Sequence, residues 1–236
     1  MARQPQTRGT CVYCGKDFAR SGMTKHLAAC PARADAFAAA EAGKGNAQAL
    51  YHLTVSTPGS SLFWLQLEMN GSATLETLDN YLRAIWLECC GHLSSFEIGG
   101  RSYTQVFNDG MGDPSDRSMK VRADKVLSPG MAIPYAYDFG STTELLITVQ
   151  SERQGKPTTK HPISLMARNE MPAVQCAECD QPAAFICTEC LWDSDGGHFF
   201  CTEHAEEHEH EDMLMGVWNS PRTGVCGYDG PAEPPY

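Results

Sequence analysis

Apolar and polar residues alternate along residues 51–56 (YHLTVS) and again along 62–69 (LFWLQLEM), with TPGSS between them. Two runs of period two separated by turn residues predict a β-hairpin. Residues 72–90 (SATLETLDNYLRAIWLECC) change period, placing Leu75, Leu78, Leu82, Ile85 and Trp86 at helical spacing. That stripe predicts one amphipathic helix laid on the sheet and stopped by Gly91. Shorter strands are expected at 93–99 (LSSFEIG) and 101–107 (RSYTQVF), followed by a polar loop at 108–116. A second hairpin joins 132–140 (AIPYAYDFG) to 144–150 (ELLITVQ) around Ser141 to Thr143. The order strand, strand, helix, several strands predicts an α+β fold with a central mixed or antiparallel sheet and one main helix, in a β-grasp-like arrangement.

Charge is distributed unevenly over the 236 residues, whose formal net charge is −11. Residues 1–34 hold Arg3, Arg8, Lys16, Arg20, Lys25 and Arg33 against Asp17 alone, whereas residues 176–236 hold thirteen acids against Arg222. Only the N-terminal end is suited to a phosphate backbone, with Arg3, Arg8, Arg20 and Lys25 as candidate contacts. No run approaches the ~18 uninterrupted apolar residues of a membrane helix, and MARQPQTRGT lacks the apolar core of a signal peptide. A cytoplasmic protein without membrane contact is expected. In that reducing compartment eleven cysteines point to metal ligation rather than disulfides.

The cysteines and histidines fall into groups with ligand spacing. Cys11 and Cys14 form a knuckle, Phe18 supplies a small apolar core, and Ser21 is placed to cap a helix carrying His26 and Cys30 on one face. This segment resembles a two-Cys, two-His finger with the last His exchanged for Cys, a swap that tetrahedral zinc accepts. Residues 34–50 (ADAFAAAEAGKGNAQAL) are read as extending the finger helix into a flexible joint.

The second group spans residues 176–210, CAECDQPAAFICTECLWDSDGGHFFCTEHAEEHEH, with four ligand pairs, enough for two tetrahedral zinc ions. Interleaved pairing would put Cys176, Cys179, Cys201 and His204 on one ion and Cys187, Cys190, His208 and His210 on the other. Sequential pairing would put the four early cysteines on one ion and Cys201 with the three histidines on its neighbour. The segment resembles a B-box zinc module, which uses the interleaved order. Cys226 is the odd cysteine, either a free thiol or a substitute for His208 or His210. Together the two groups predict about three zinc ions per chain, given four ligands per site.

FWLQLEM, TLETLDNYLRAIW, GHLSSFEIGG and above all YAYDFG resemble the plasmid pRiA open-reading-frame-three-like family, also labelled transposon passenger proteins. The resemblance covers roughly a hundred residues and implies an α+β fold and an association with mobile genetic elements, with no reaction attached. Members often follow YDFG with Asp, Trp and His, whereas Ser141, Thr142, Thr143, Glu144 and Leu145 stand here. The expected organisation is therefore a finger over 1–34, a linker over 35–49, the α+β domain over 50–150, a linker over 151–172, and a double zinc module with its tail over 173–236.

Three groups invite an enzymatic reading. HAEEH (204–208) is similar to a zinc-protease helix, but Ala205 occupies the position of the glutamate that activates metal-bound water. His92 follows a helix end, where an imidazole bonds the last carbonyls, and Asp138 lies in the YDFG turn. Cys89 and Cys90, lacking further ligands at metal spacing, are read as idle thiols. No phosphate-cradling glycine loop, GxSxG or dinucleotide fingerprint is present. The sequence thus predicts a non-enzymatic zinc-binding adaptor for a protein partner, with nucleic-acid binding through the finger as the alternative and zinc-dependent hydrolysis as a remote one.

Overall fold

The alternation along the first hairpin is observed, but its polar side does not face water. The structure, a computed structural model, describes residues 6–105, 115–192 and 197–234. Arg3 and most of the loop expected at 108–116 lie outside them. The chain divides into two units, one made of Met1–Tyr81 and Leu93–Glu170, the other of Leu82–His92 and Met171–Tyr236.

The first unit begins with the short strands β1 (Arg8–Cys11) and β2 (Asp17–Ala19) and the helices α1 (Arg20–Ala29) and α2 (Pro31–Ala42). The predicted hairpin follows as β3 (Gln48–Ser56) and β4 (Trp64–Asn70), and α3 covers Leu75–Leu82. Then come β5 (Ser94–Ile98), β6 (Arg101–Thr104), β7 (Arg117–Ser118), β8 (Ala132–Tyr137), β9 (Thr143–Gly155) and β10 (Ile163–Asn169). All ten strands form one sheet in the order β2-β1-β10-β4-β3-β9-β8-β5-β6-β7, antiparallel except for the β6–β7 pair. The fold is α+β with a large, mostly antiparallel sheet. Among the described residues α3 is the α-helix expected within 50–150, while α1 and α2 lie in the finger and in the stretch that follows it.

Two expected linkers hold regular structure. Residues 163–169, placed in a linker because Pro157, Pro162 and Pro172 surround them, form β10 between β1 and β4. Those prolines flank the strand and leave its ladder N–H groups intact. The alanine-rich stretch is α2, opened by Pro31 at its first turn, where a missing N–H costs nothing.

Along β3 and β4 the odd-numbered Leu53, Val55, Leu65, Leu67 and Met69 are buried on one face. On the other, Trp64, Gln66, Glu68, His52 and Thr54 are equally buried. They stay satisfied because the finger helices roof them. His52 Nε2 meets Gln66 Oε1 at 2.6 Å, and Gln66 Nε2 donates to Thr24 Oγ1 of α1 at 2.9 Å. Glu68 accepts from Arg33 of α2 at 3.3 Å and from Arg153 of β9 at 2.9 Å. Both guanidinium groups lie over the Phe37 ring.

Two backbone features let the finger approach. Gly9 sits opposite Asn169 in the ladder, where a Cβ would collide with the Arg168 carbonyl and the Trp64 indole. A bulge in β10 adds Met166 between Leu165 and Ala167, and its carbonyl accepts from Val12 N–H at 3.0 Å. Met166 then packs with Cys11, Met23, Leu27, Cys30 and Trp64 in one buried cluster. On α3, the fully buried Asp79 accepts from Ser94 Oγ at 2.6 Å, Tyr135 Oη at 2.7 Å and Gln105 Nε2 at 3.0 Å, fixing the helix to β5 and β8.

The second unit carries a three-stranded antiparallel sheet in the order β12 (Phe199–Phe200), β11 (Phe185–Cys187), β13 (Leu214–Gly216), with the short helix α4 (Thr202–Glu206) after β12. It also holds residues 82–92, where the α3 path ends in a π turn, Arg83–Leu87, closed by Glu88 N–H to the Arg83 carbonyl at 2.9 Å. The helix therefore ends before Gly91, its expected stop.

Burial pushes the His52 imidazole down from 6.5 to about 4. Between those values the unfolded chain binds a proton that the folded chain refuses, so stability rises with pH across this window. The contribution is complete above pH 6.5 and falls by about 3 kcal/mol as pH drops towards 4. Chemical denaturation of wild type and His52→Gln at pH 7 and pH 4.5 checks this. The variant will lose about 2 kcal/mol less than wild type on acidification, and equal losses would refute the assignment.

Candidate metal centres

Short turns place the first ligand pair. Cys11, the last residue of β1, donates its N–H to the Lys16 carbonyl at 3.0 Å, and its carbonyl accepts from Gly15 N–H at 2.9 Å. Gly15 takes φ +70°, a value that leaves the knuckle to glycine. His26 projects from the last part of α1, stacked on Phe18 at 4.4 Å between ring centroids, and meets Cys14 Sγ at 3.2 Å. Cys30 is not in the helix, as the i, i+4 spacing implied. It is the extended residue between α1 and α2, just before Pro31. Ser21 does not cap α1 either, because the helix already starts at Arg20 with Ala19 as its cap residue. The ligand atoms of Cys11, Cys14, His26 and Cys30 all lie within 4.8 Å of one another.

In the second unit the ligands gather in the interleaved pattern. Cys176, Cys179, Cys201 and His204 make one cluster, and Cys187, Cys190, His208 and His210 the other. Strand pairing explains why. Antiparallel β11 and β12 carry Cys187 and the approach to Cys201 in opposite directions, so each CxxC knuckle meets a ligand from further along the chain. In the first cluster His204 Nδ1 lies 3.3 Å from Cys176 Sγ and 3.4 Å from Cys201 Sγ, and Cys179 and Cys201 sulfurs are 3.9 Å apart. In the second, Cys190 Sγ lies 3.4 Å from both His208 Nε2 and His210 Nδ1, and Cys187 Sγ 3.8 Å from His210 Nδ1. The Phe200 ring lies tilted against His208, 4.2 Å between centroids, and packs with Cys187, Ala205 and, at the cluster edge, Phe185, Cys190 and Leu214.

In the first of these clusters the surroundings favour ionised sulfur at Cys176, whereas at Cys179 a backbone hydrogen bond from Gln181 is outweighed by burial and the neighbouring Cys176 and Cys201 sulfurs, which raise the thiol. Burial works against the Cys176 thiolate, but N–H groups of Cys201, Glu178 and Cys179, together with the His204 ring, bring its pKa down to about 6. Hydrogen bonding to Cys176 in turn raises His204. At Cys14 a bond from the Lys16 backbone likewise lowers the thiol. These groups prepare the thiolate form that a metal binds.

None of the eleven cysteines is in a disulfide. His204 and His208, the two histidines of HAEEH, stand in different clusters and share no site. The remaining chemistry-bearing residues are not scattered as expected. His92 turns its ring towards two thiols. Its Nε2 faces Cys90 Sγ at 3.0 Å and Cys226 Sγ at 3.2 Å, and Cys89 completes a fourth group whose ligand atoms lie within 4.8 Å. Cys226 therefore stands apart from His208 and His210. Sequence reading, which took Cys89 and Cys90 as idle thiols, missed this group, and the cysteines left over once the spaced pairs are assigned are the signal that could have found it. Asp138, buried at φ +64°, forms a turn in which its carboxylate accepts from Gly140 N–H at 3.0 Å. Of the candidate phosphate contacts, Arg8 and Lys25 are exposed, while Arg20 and Lys25 line a concavity with Thr24, Thr54, Ser56, Thr148 and Gln150.

A family model described as "Plasmid pRiA4b ORF-3-like protein" matches residues 51–218. No curated protein matches the chain. Among solved structures, the protein of unknown function MM3350 from Methanosarcina mazei Go1 is similar over 50% of this chain and 68% of its own, at 19% identity and a TM-score of 0.41. No helix among the described residues is long and apolar enough to cross a membrane.

The pairing has a direct test in a double variant. Cys187→Ser combined with His210→Ala removes two ligands of a single cluster, so elemental analysis will show the loss of about one ion per chain. Sequential pairing would distribute the same two changes over two sites and cost about two ions.

Proposed function

Because the chain belongs to the plasmid pRiA4b ORF-3-like family, a membership that names no reaction, we propose its function from its sites: a non-enzymatic zinc-binding adaptor of the cytoplasm, associated with mobile genetic elements. The observation that carries this reading is the completeness of the three clusters first read from spacing. Each brings together four Cys or His ligand atoms. Zinc bound to sulfur at ~2.3 Å and to nitrogen at ~2.0–2.1 Å in a tetrahedron places neighbouring ligand atoms roughly 3.3–3.8 Å apart. The close contacts between ligand atoms in these clusters run from 3.2 to 3.9 Å. Mixed thiolate and imidazole donors are those that zinc prefers over the oxygen-seeking cations.

Four protein ligands leave no coordination position for water, so such ions brace structure rather than activate a nucleophile. The separation of His204 from His208 supports the same conclusion by dismantling the protease-like pair. What the bracing holds up is acidic. Glu203, Glu206, Glu207, Glu209, Glu211 and Asp212 are all exposed on and after α4, a surface complementary to a basic protein segment and repellent to nucleic acid.

Elemental analysis of the purified full-length chain tests this reading. At least three zinc ions per chain are expected, and one or none would overturn it.

A second reading is favoured by the concavity carrying Arg20 and Lys25. It would admit phosphate, but the finger is poorly equipped to read bases. Base-reading fingers use positions −1, 3 and 6 relative to the helix start, which here are Ala19, Gly22 and Lys25. Non-specific contact is the form this reading takes. Binding to an oligonucleotide would then weaken with salt, and Arg20→Ala with Lys25→Ala would reduce the log–log slope by about 2. Salt-independent binding, or none, would exclude it.

A further inference from the structure

Assigning the spaced ligands to three ions leaves Cys89, Cys90 and Cys226 over, and the structure brings all three to one point with His92. The four residues come from two segments of the second unit that are 134 positions apart between His92 and Cys226. We propose that Cys89, Cys90, His92 and Cys226 are a fourth tetrahedral zinc site, with three thiolates and one imidazole. It goes beyond the three-site reading and shares with it only the identity of the metal.

The separations have the required scale. Cys90 Sγ lies 3.9 Å from both Cys89 Sγ and Cys226 Sγ, and His92 Nε2 lies 3.0 and 3.2 Å from Cys90 and Cys226. Sulfurs at 3.9 Å match the edge of a zinc tetrahedron, ~3.8 Å, and are far beyond the ~2.05 Å of a disulfide. Once this group is filled, every one of the eleven cysteines belongs to a four-ligand set.

The scaffold around the group is built to bring the segments together. The π turn ends the helix, and its exposed carbonyls are taken by the C-terminal segment: Ser220 Oγ donates to Trp86 at 2.6 Å and Ala232 N–H to Ala84 at 2.8 Å. Arg83 donates to the His92 carbonyl at 2.6 Å, and Glu88 accepts from Gly91 N–H at 2.5 Å, fixing the ligand loop. Cys226 itself holds φ +50°, between Gly224 at +76° and Gly227 at +68°. A left-handed backbone at a non-glycine residue costs of order 1 kcal/mol and persists where the side chain must point in a set direction.

Charge supplies an independent argument. Zn²⁺ with three thiolates carries a net charge of −1. Arg222, the one base in residues 176–236, is fully buried, and its Nη2 lies 3.6 Å from Cys89 Sγ. A metal-bound thiolate that accepts from the Arg222 guanidinium would offset part of the charge buried at this point. Binding replaces three thiol protons by the ion, with no change of oxidation state.

Zinc content of the intact chain tests the site. Wild type purified with zinc will hold about four ions per chain, and Cys226→Ser and His92→Ala each about three. His92→Ala leaves the strained turn untouched and so stands as the check if Cys226→Ser fails to fold. Because Cys90 and Cys226 are exposed, the fourth ion will also be the first released to a colorimetric zinc chelator, a fast phase missing from both variants. Equal zinc content in wild type and both variants, or a disulfide among Cys89, Cys90 and Cys226 in the reduced-handled protein, would overturn the proposal. Failure of the three-site reading would lower the wild-type total instead, while the one-ion difference between wild type and variants would remain.

Discussion

The first unit depends on a carboxylate buried in its sheet. Glu68 is 3% exposed and held between Arg33 and Arg153, and leaving such a charge without one of its partners costs about 3–5 kcal/mol. Arg153 comes from the adjacent part of the sheet, whereas Arg33 comes from α2. The carboxylate therefore determines which face of β3 and β4 the helix covers. Arg33 also donates to the Leu27 carbonyl at 2.9 Å, so the same guanidinium caps α1 and fixes the bend between the helices. Cys30, a candidate metal ligand, lies in that bend.

A metal held by the Cys30 cluster and the buried ion pair would thus constrain one piece of chain from two sides. Ligation would tie β1 and the knuckle after it to the last part of α1 and to the bend that follows, and Arg33 ties the next helix to the sheet. The result changes what a finger motif means here. Met23 and Leu27 on α1 are wholly inside the cluster with Trp64 and Met166, and Thr24 bonds Gln66. Those side chains serve as a roof, leaving only the rim residues of the helix to meet anything outside. Ligand spacing picked out residues that the fold brings together, while the surface left open by the roof is decided by the sheet.

Much of the local structure was legible because it depends on near neighbours. The hairpin around TPGSS, the helical stripe from Leu75, and the pairing of residues 132–137 with the segment after YDFG all follow from periodicity and turns. The family resemblance of the central region was legible from YAYDFG and its companions. What remained hidden depends on distant chain. His52, Thr54, Gln66 and Glu68 look like a solvated face until α1 and α2 are placed over them. β10 looks like a linker because prolines bracket it and its pairing partners, β1 and β4, lie more than ninety residues earlier. His92 and Cys226 share no spacing motif, so only the unassigned cysteine hinted that they belong together.

Arg222 connects the charge pattern to the site chemistry in the second unit. On composition alone it moderates the acidity of residues 176–236. In the structure it is fully buried beside Cys89 and contributes nothing to the exterior. Every Lys or Arg is therefore absent from the solvent-facing side of that segment, while its glutamates between 203 and 211 remain exposed. A field of one sign steers partners by the opposite sign and excludes phosphate-bearing ones. The single Lys or Arg of the segment thus lies beside a cysteine of the fourth group, and its withdrawal leaves the exposed side of residues 203–212 acidic.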